Sequence, residues 1–146
     1  MIVEDTVDFH LRSTLFAMRR MYNLLAHENG ITQGVGYALI NIGEEGIPAT
    51  KIAPLMGMTS SSLSRMLKNM EEDGIISRKQ DKVDKRIVKI CLTKEGKLMR
   101  DKVEQAVLKF NSELFKKLDL KDLQAFERVN NMIKEQVKIE IDLMKG

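Results

Sequence analysis

PATKIAPLMGMTSSSLSRMLKNMEEDGIISRKQDKVDKRIVKICLTKEG, residues Pro48 to Gly96, carries the signals that decide the fold. Ile52, Ala53, Leu55 and Met56 recur at helical spacing, and Gly57 stops the run where a left-handed residue is needed. Thr59 restarts a helix, its hydroxyl placed to accept from the backbone N–H of Ser61 or Ser62, which lack intrahelical partners. Leu63, Met66, Leu67 and Met70 then form one apolar stripe. At about 100° per residue the opposite face carries Ser61, Ser64, Arg65 and Lys68. Small hydroxyl side chains let a backbone come close to a partner, and Arg and Lys reach guanine edges or phosphates, so this face suits a DNA major groove. Asp73-Gly74 closes the helix.

After Gly74 the period changes to two. Ile75-Ile76 leads into Ser77, Arg78 and Lys79, and the returning arm sets Val88, Ile90 and Leu92 on one side, Lys89 and Cys91 on the other. This predicts a hairpin with one dry face and a charged tip, Gln80 to Arg86. Thr93 caps a further helix, with Glu95 in its first turn.

A helix-turn-helix followed directly by a basic hairpin resembles a winged helix-turn-helix domain. Leu63-Ser64-Arg65-Met66-Leu67 followed by Glu71, Gly74 and Arg78, then Asp84-Lys85-Arg86, then Leu92-Thr93-Lys94-Glu95-Gly96, resembles the multiple antibiotic resistance regulator (MarR) family in order and spacing. The resemblance implies a mainly α fold with a small β-hairpin wing. Residues 31–93 would form the DNA-binding domain, and 1–30 with 94–146 a helical dimerisation region. It implies a homodimer on a pseudo-palindromic double-stranded operator, acting as a repressor relieved by a small aromatic or anionic effector. The expected recognition-helix residues are Thr59, Ser60, Ser61, Ser62, Ser64, Arg65 and Lys68; the expected wing residues are Arg78, Lys79, Lys82, Asp84, Lys85 and Arg86. Arg86 would reach DNA while Asp84 steadies the tip. Met18, Arg19, Tyr22 and Tyr37 are a candidate edge of an effector pocket where the first two helices meet the wing domain, although a Met or Tyr at helical spacing is more often core.

Charge supports the assignment. From Ala49 to Lys97 eleven Lys and Arg face six Asp and Glu, a net of +5 within a chain whose total is +3. With 43% hydrophobic and 31% charged residues the 146-residue chain reads as a globular domain with helical arms. No apolar run approaches the roughly 20 residues of a membrane span, and Glu4, Asp5 and Asp8 spoil a signal-peptide reading, which places the chain in the cytoplasm. A single cysteine excludes an intramolecular disulfide. His10 and His27 stand apart from any cluster at metal-ligand spacing, and no P-loop, dinucleotide fingerprint or nucleophile elbow is present. The expectation is therefore a protein with no catalytic residues, metal or cofactor. Cys91 shares a strand face with Lys89 and is expected to be partly exposed filler. Relatives that sense oxidants through a thiol in the first helix have no counterpart here, since that helix has none.

The flanks are helical. Val3, Val7, Leu11, Leu15, Met18, Tyr22 and Leu25 predict a first helix of about 25 residues ending at Asn29-Gly30, with Phe9, Phe16 and Met21 widening its apolar face. Thr32 caps a second helix to about Gly43, with Gly34 and Gly36 serving a close helix contact or a backbone approach to a ligand. Gly43 to Pro48 reads as a connector, and Pro54 as a first-turn proline of a helix starting near Thr50. Two long helices follow the wing, one from Lys94 through Leu98, Val103, Val107 and Phe110, the other from Asp119 or Leu120 through Leu123, Phe126, Ile133 and Val137. Their apolar faces exceed what one small domain can cover, which favours an intertwined homodimer over a helical hairpin folded back on its own chain. A winged-helix module that binds protein, its basic wing merely solvated, is the competing reading of the same residues.

Overall fold

The computed structural model describes residues 1–146. After a 3-10 turn at Val3–Asp5 the elements are α1 (Val7–Glu28), α2 (Gln33–Ile42), β1 (Ile47–Pro48), α3 (Ala49–Met56), α4 (Ser60–Glu72), β2 (Ile76–Gln80), β3 (Val88–Leu92), α5 (Lys94–Phe115) and α6 (Leu120–Lys145). The fold is mainly helical with one small antiparallel sheet, as the sequence leads one to expect. The chain divides into two compact units, Met1–Ala106 and Val107–Gly146.

In the first unit Ala38, Leu39 and Ile42 of α2, Ile52 of α3, Leu63, Leu67 and Met70 of α4, and Ile75, Ile76, Ile90 and Leu92 make one buried cluster. Three helices and a sheet thus share one core, to which α4 contributes the stripe of Leu63, Leu67 and Met70. Met66 packs against that cluster from its edge. Gly57, at φ 59°, ends α3, its N–H donating to Pro54 O and that of Met58 to Ala53 O at 3.2 Å.

Four local expectations are corrected. The first helix does not start at Val3: Thr6 interrupts it, its hydroxyl donating to Val3 O at 2.6 Å and accepting from Phe9 N at 3.3 Å, so a cap replaces continuous helix. Pro54 lies beyond the first turn of α3, which continues through it; the Thr50 carbonyl deprived of its bond belongs to an exposed residue, where water can replace the donor. The connector before α3 contains a strand. Ile47 and Pro48 pair with Ile90 and Lys89, giving a three-stranded sheet in the order β1-β3-β2, a ladder too short for its period to show in sequence. Val88, expected on the dry face, is 40% exposed because it opposes Gln80 at the outer end of the hairpin, beyond the reach of the core.

Glycine is indispensable at two places for different reasons. Gly46 has φ 76°, and a Cβ there would lie 2.8 Å from Cys91 Sγ and 2.9 Å from Ile90 O, so β1 approaches β3 over it. At Gly96, buried in the first turn of α5, a Cβ would stand 1.9 Å from the Ile75 carbonyl oxygen. Gly34 and Gly36 are different: a Cβ would meet its nearest neighbours at 3.8 Å and 3.6 Å respectively, ordinary contact, so neither glycine is demanded by helix packing.

In the second unit, the Asp122 carboxylate accepts from the Asp119 backbone N–H at 3.3 Å where α6 begins. Neither α6 nor α1 contains a buried residue, and Phe126, Met132 and Leu143 are each more than three-fifths exposed.

Gly96→Ala should lower stability by about 3 kcal/mol or more, because the obstacle is backbone rather than a flexible side chain. Gly36→Ala, in a helix interior with room for a methyl group, should be neutral or stabilising by up to about 1 kcal/mol. Urea melts of the two variants beside the parent check both signs.

Candidate nucleic-acid interface

The start of α4 is fixed by its N-cap residue, Thr59. Thr59 Oγ1 accepts from Ser62 N at 3.3 Å and donates to Ser62 Oγ at 3.0 Å, with Ser61 Oγ at 3.3 Å, so three hydroxyls cluster around the N-terminal end of α4. Leu63, Leu67 and Met70 anchor one face in the core, which turns Ser61, Ser64, Arg65 and Lys68 to solvent. Thr59, Ser60 and Ser62 are exposed as well. All seven residues expected on this helix therefore lie on its accessible surface. Arg65 and Lys68 form no ion pair within the chain.

The wing is tied internally. Asp81 N donates to Ile87 O at 2.9 Å, and the Asp81 carboxylate accepts from Val83 N at 3.1 Å and Asp84 N at 2.9 Å, folding the tip into a turn. Those backbone donors, Asp84 first and Val83 next, hold the Asp81 carboxyl below its ordinary range, with Lys89, 3.6 Å away, adding to the effect. The Asp84 carboxylate accepts from Arg86 Nε at 3.0 Å and Nη2 at 2.9 Å and from the Arg86 backbone N–H at 3.1 Å. The Arg86 side chain depresses the Asp84 carboxyl, and Asp84 raises the guanidinium in turn. The Arg86 side chain is nonetheless 90% exposed: its fork is held by one edge and the remainder faces outward. Lys79, Lys82 and Lys85 are exposed, and Arg78 lies 3.3 Å from Glu71 of α4.

Between the start of α2, α4 and α5 runs an open groove of about 1040 Å³, lined by apolar Ile31, Val35, Met66 and Met99 and by polar His27, Arg65, Asn69 and Asp73. Sequence reasoning missed it because its walls come from four separate segments. The residues expected at a pocket lie elsewhere. Met18 and Tyr22 are half-buried on α1, Arg19 and Tyr37 are exposed, and none of the four lines the groove. Burial pushes the Tyr22 phenol up. No group of three or more His, Cys, Asp and Glu could hold a metal ion, and no helix is long and apolar enough to cross a membrane. Cys91 is a half-buried free thiol packed over Gly46.

The MarR family model matches residues 39–88, from the middle of α2 through both helices of the turn to the start of β3. Over 103 residues, 70% of each chain, the sequence is 33% identical to the organic hydroperoxide resistance transcriptional regulator of Bacillus subtilis (strain 168). The chain belongs to the MarR family. The backbone agrees with that of MarR-type proteins: S. aureus MepR in its DNA-binding conformation superposes with a TM-score of 0.81 at 19% identity over 90% of this chain and 98% of that one. AbsC, a MarR family transcriptional regulator from Streptomyces coelicolor, gives 0.75 at 21% identity over 94% and 98%. As a member of this family the chain is a transcriptional regulator of the winged-helix type.

Because the folded-state carboxyls of Asp81 and Asp84 titrate below their unfolded value of about 4, their contribution to tip order is complete above that pH and is lost as pH falls through the depressed folded values. Relative to the intrinsic rate at each pH, backbone amide exchange at Val83, Asp84 and Arg86 should therefore stay slow down to about pH 4 and accelerate below it. Asp81→Ala should reproduce the acceleration of Val83 and Asp84 at neutral pH. Slow exchange at both amides in that variant would remove Asp81 as the tip's organiser.

Proposed function

We propose that the chain is a sequence-specific repressor that binds a pseudo-palindromic double-stranded operator as a homodimer and releases it when a small effector binds. The observation that carries this reading is the face of α4, where hydroxyl groups and two cations without internal partners are presented rigidly by a helix whose opposite side is core. Ser61, Ser64, Arg65 and Lys68 enter the major groove. Thr59, Ser60 and Ser62 place the N-terminal end of the helix, whose dipole favours phosphate. Lys79, Lys82 and Lys85 meet phosphates, and Arg86, steadied by Asp84, projects its free edge toward the flanking minor groove, where a guanidinium suits the narrow, strongly negative A·T-rich form.

The dimer is supported by α1 and α6, which bury no residue within the chain, so their apolar surfaces await a second copy. On this reading residues 31–93 read DNA, and 1–30 with 94–146 join the subunits. The effector site is the groove beside α4, whose mixed lining suits a molecule with an aromatic or other apolar body and a polar or anionic end. The name of the Bacillus subtilis relative points to organic hydroperoxide, but α1 has no cysteine and the single thiol lies in β3, so peroxide is not carried over. The protein is then a cytoplasmic regulator with no enzymatic activity or cofactor.

A gel shift against DNA upstream of its own gene, run across a range of salt, tests the reading. A specific complex protecting an inverted repeat, with recognition helices about 34 Å apart, is expected. No specific complex, beside capture of a protein partner through α4, would favour the interaction-module reading instead. Arg65→Ala should cost about 1 to 3 kcal/mol on the operator and far less on random duplex, as measured by anisotropy titration. Equal losses on both would reduce Arg65 to a phosphate contact. Sedimentation of the full chain should return a dimer at micromolar concentration, and a monomer that still protects a twofold footprint would overturn the dimer.

A further inference from the structure

The acidic run Glu71-Glu72-Asp73 at the end of α4 has no part in the DNA-reading face, and carboxylates at a helix C-terminus oppose the dipole. One of them has a partner: Glu71 Oε2 lies 3.3 Å from Arg78 Nε. Arg78 stands two residues after Ile76 in β2, and its partner across the ladder is the fully buried Ile90. The two-residue period of a strand sets Arg78 on the sheet face that Ile76 turns to the core, at the rim where the core ends. Past it, Lys79 and Gln80 are exposed, and the remaining ion pairs of the wing, Lys89 with Asp81 and Arg86 with Asp84, are internal to the hairpin. The Glu71–Arg78 pair is the outermost side-chain tie between recognition helix and wing.

We infer that Glu71 and Arg78 form a strut that sets the angle of the wing against the recognition helix, making Arg78 a positioning residue for DNA binding rather than a phosphate contact. The inference rests on the DNA-binding reading above. With side chains 39% and 44% exposed the pair adds little to global stability, so breaking it releases the wing without unfolding the core. It also gives the acidic end of α4 a purpose. A carboxylate that would otherwise repel phosphate is neutralised by the cation it orients.

The two roles for Arg78 predict opposite signs for Glu71→Gln. If the pair is a strut, Glu71→Gln and Arg78→Gln each weaken operator binding by about tenfold, the size of a mismatched base pair, and the double variant is no worse than either. Random-duplex affinity and the slope of log affinity against log salt stay at the parent's values, melting temperatures are unchanged, and the swap Glu71→Arg with Arg78→Glu restores most of the loss. If Arg78 instead contacts phosphate, Glu71→Gln tightens both DNAs and Arg78→Gln flattens the salt slope by about one unit, which overturns the strut. Unchanged operator affinity in both single variants overturns it too. A DNA-free reading separates this from failure of the functional assignment. Spin labels at Ser60→Cys and Val83→Cys on a Cys91→Ser background, diluted with unlabelled chain, should give a broader helix-to-tip distance distribution in Glu71→Gln than in the parent. Broadening with no operator complex in the parent would leave the strut standing and the function wrong, whereas an unchanged distribution overturns the strut itself.

Discussion

The structure of the winged-helix region depends on one junction, where four elements meet at Thr93. Its hydroxyl donates to Gly74 O at 2.6 Å and accepts from Gly96 N at 3.1 Å, and its backbone N–H donates to Ile75 O at 3.2 Å. The end of α4, the entry to β2, the exit of β3 and the first turn of α5 are thereby pinned within a few residues of one another. Such closeness leaves no space for a side chain on α5 at its nearest point, which is why that position is glycine and why the Ile75 carbonyl sits against its Cα. Each bond at the junction satisfies a backbone group that a helix end or strand end would otherwise leave open. Helix α4 is held from behind by its apolar stripe and at its C-terminal end by this knot.

The cations divide accordingly. On α4, Arg65 and Lys68 are unpaired, whereas in the wing Arg78, Arg86 and Lys89 each have a carboxylate within 3.6 Å and Lys79, Lys82 and Lys85 do not. A paired cation is oriented, and its net field is reduced. An unpaired one keeps its full attraction for a polyanion but no fixed direction. The α4 face and the lysines of the wing thus carry unneutralised charge, while the paired arginines are held in fixed orientations.

Much of this was legible in the sequence, because it rests on local chemistry with clear spacing. Thr59, Thr32 and Thr93 announce helix starts through hydroxyls at fixed distances from backbone donors, and the Leu63 stripe and the Ile90–Leu92 alternation reflect burial on a single face. What was hidden has a common cause. The strand at Ile47–Pro48 is defined only by its partner β3, the groove by walls from distant segments, and the Glu71–Arg78 contact by how a helix end and a strand happen to cross. Thr6 is the exception, a cap signal present in the sequence but overridden by the apolar residues on either side of it. The pocket expectation at Met18, Arg19, Tyr22 and Tyr37 drew on residue type and helix spacing, neither of which reports where a concavity forms.

The sheet is bounded in a manner that bears on how this chain can meet others. One margin is a two-residue strand ending in Pro48, which has no N–H to offer, and the other is β2, whose exposed length carries Arg78, Lys79 and Gln80. A stray strand would find few hydrogen-bonding positions on the first and a positively charged border on the second, so polymerisation through backbone pairing is discouraged at both. The apolar surface left open lies instead on α1 and α6, where any contact is made between side chains rather than along a backbone ladder.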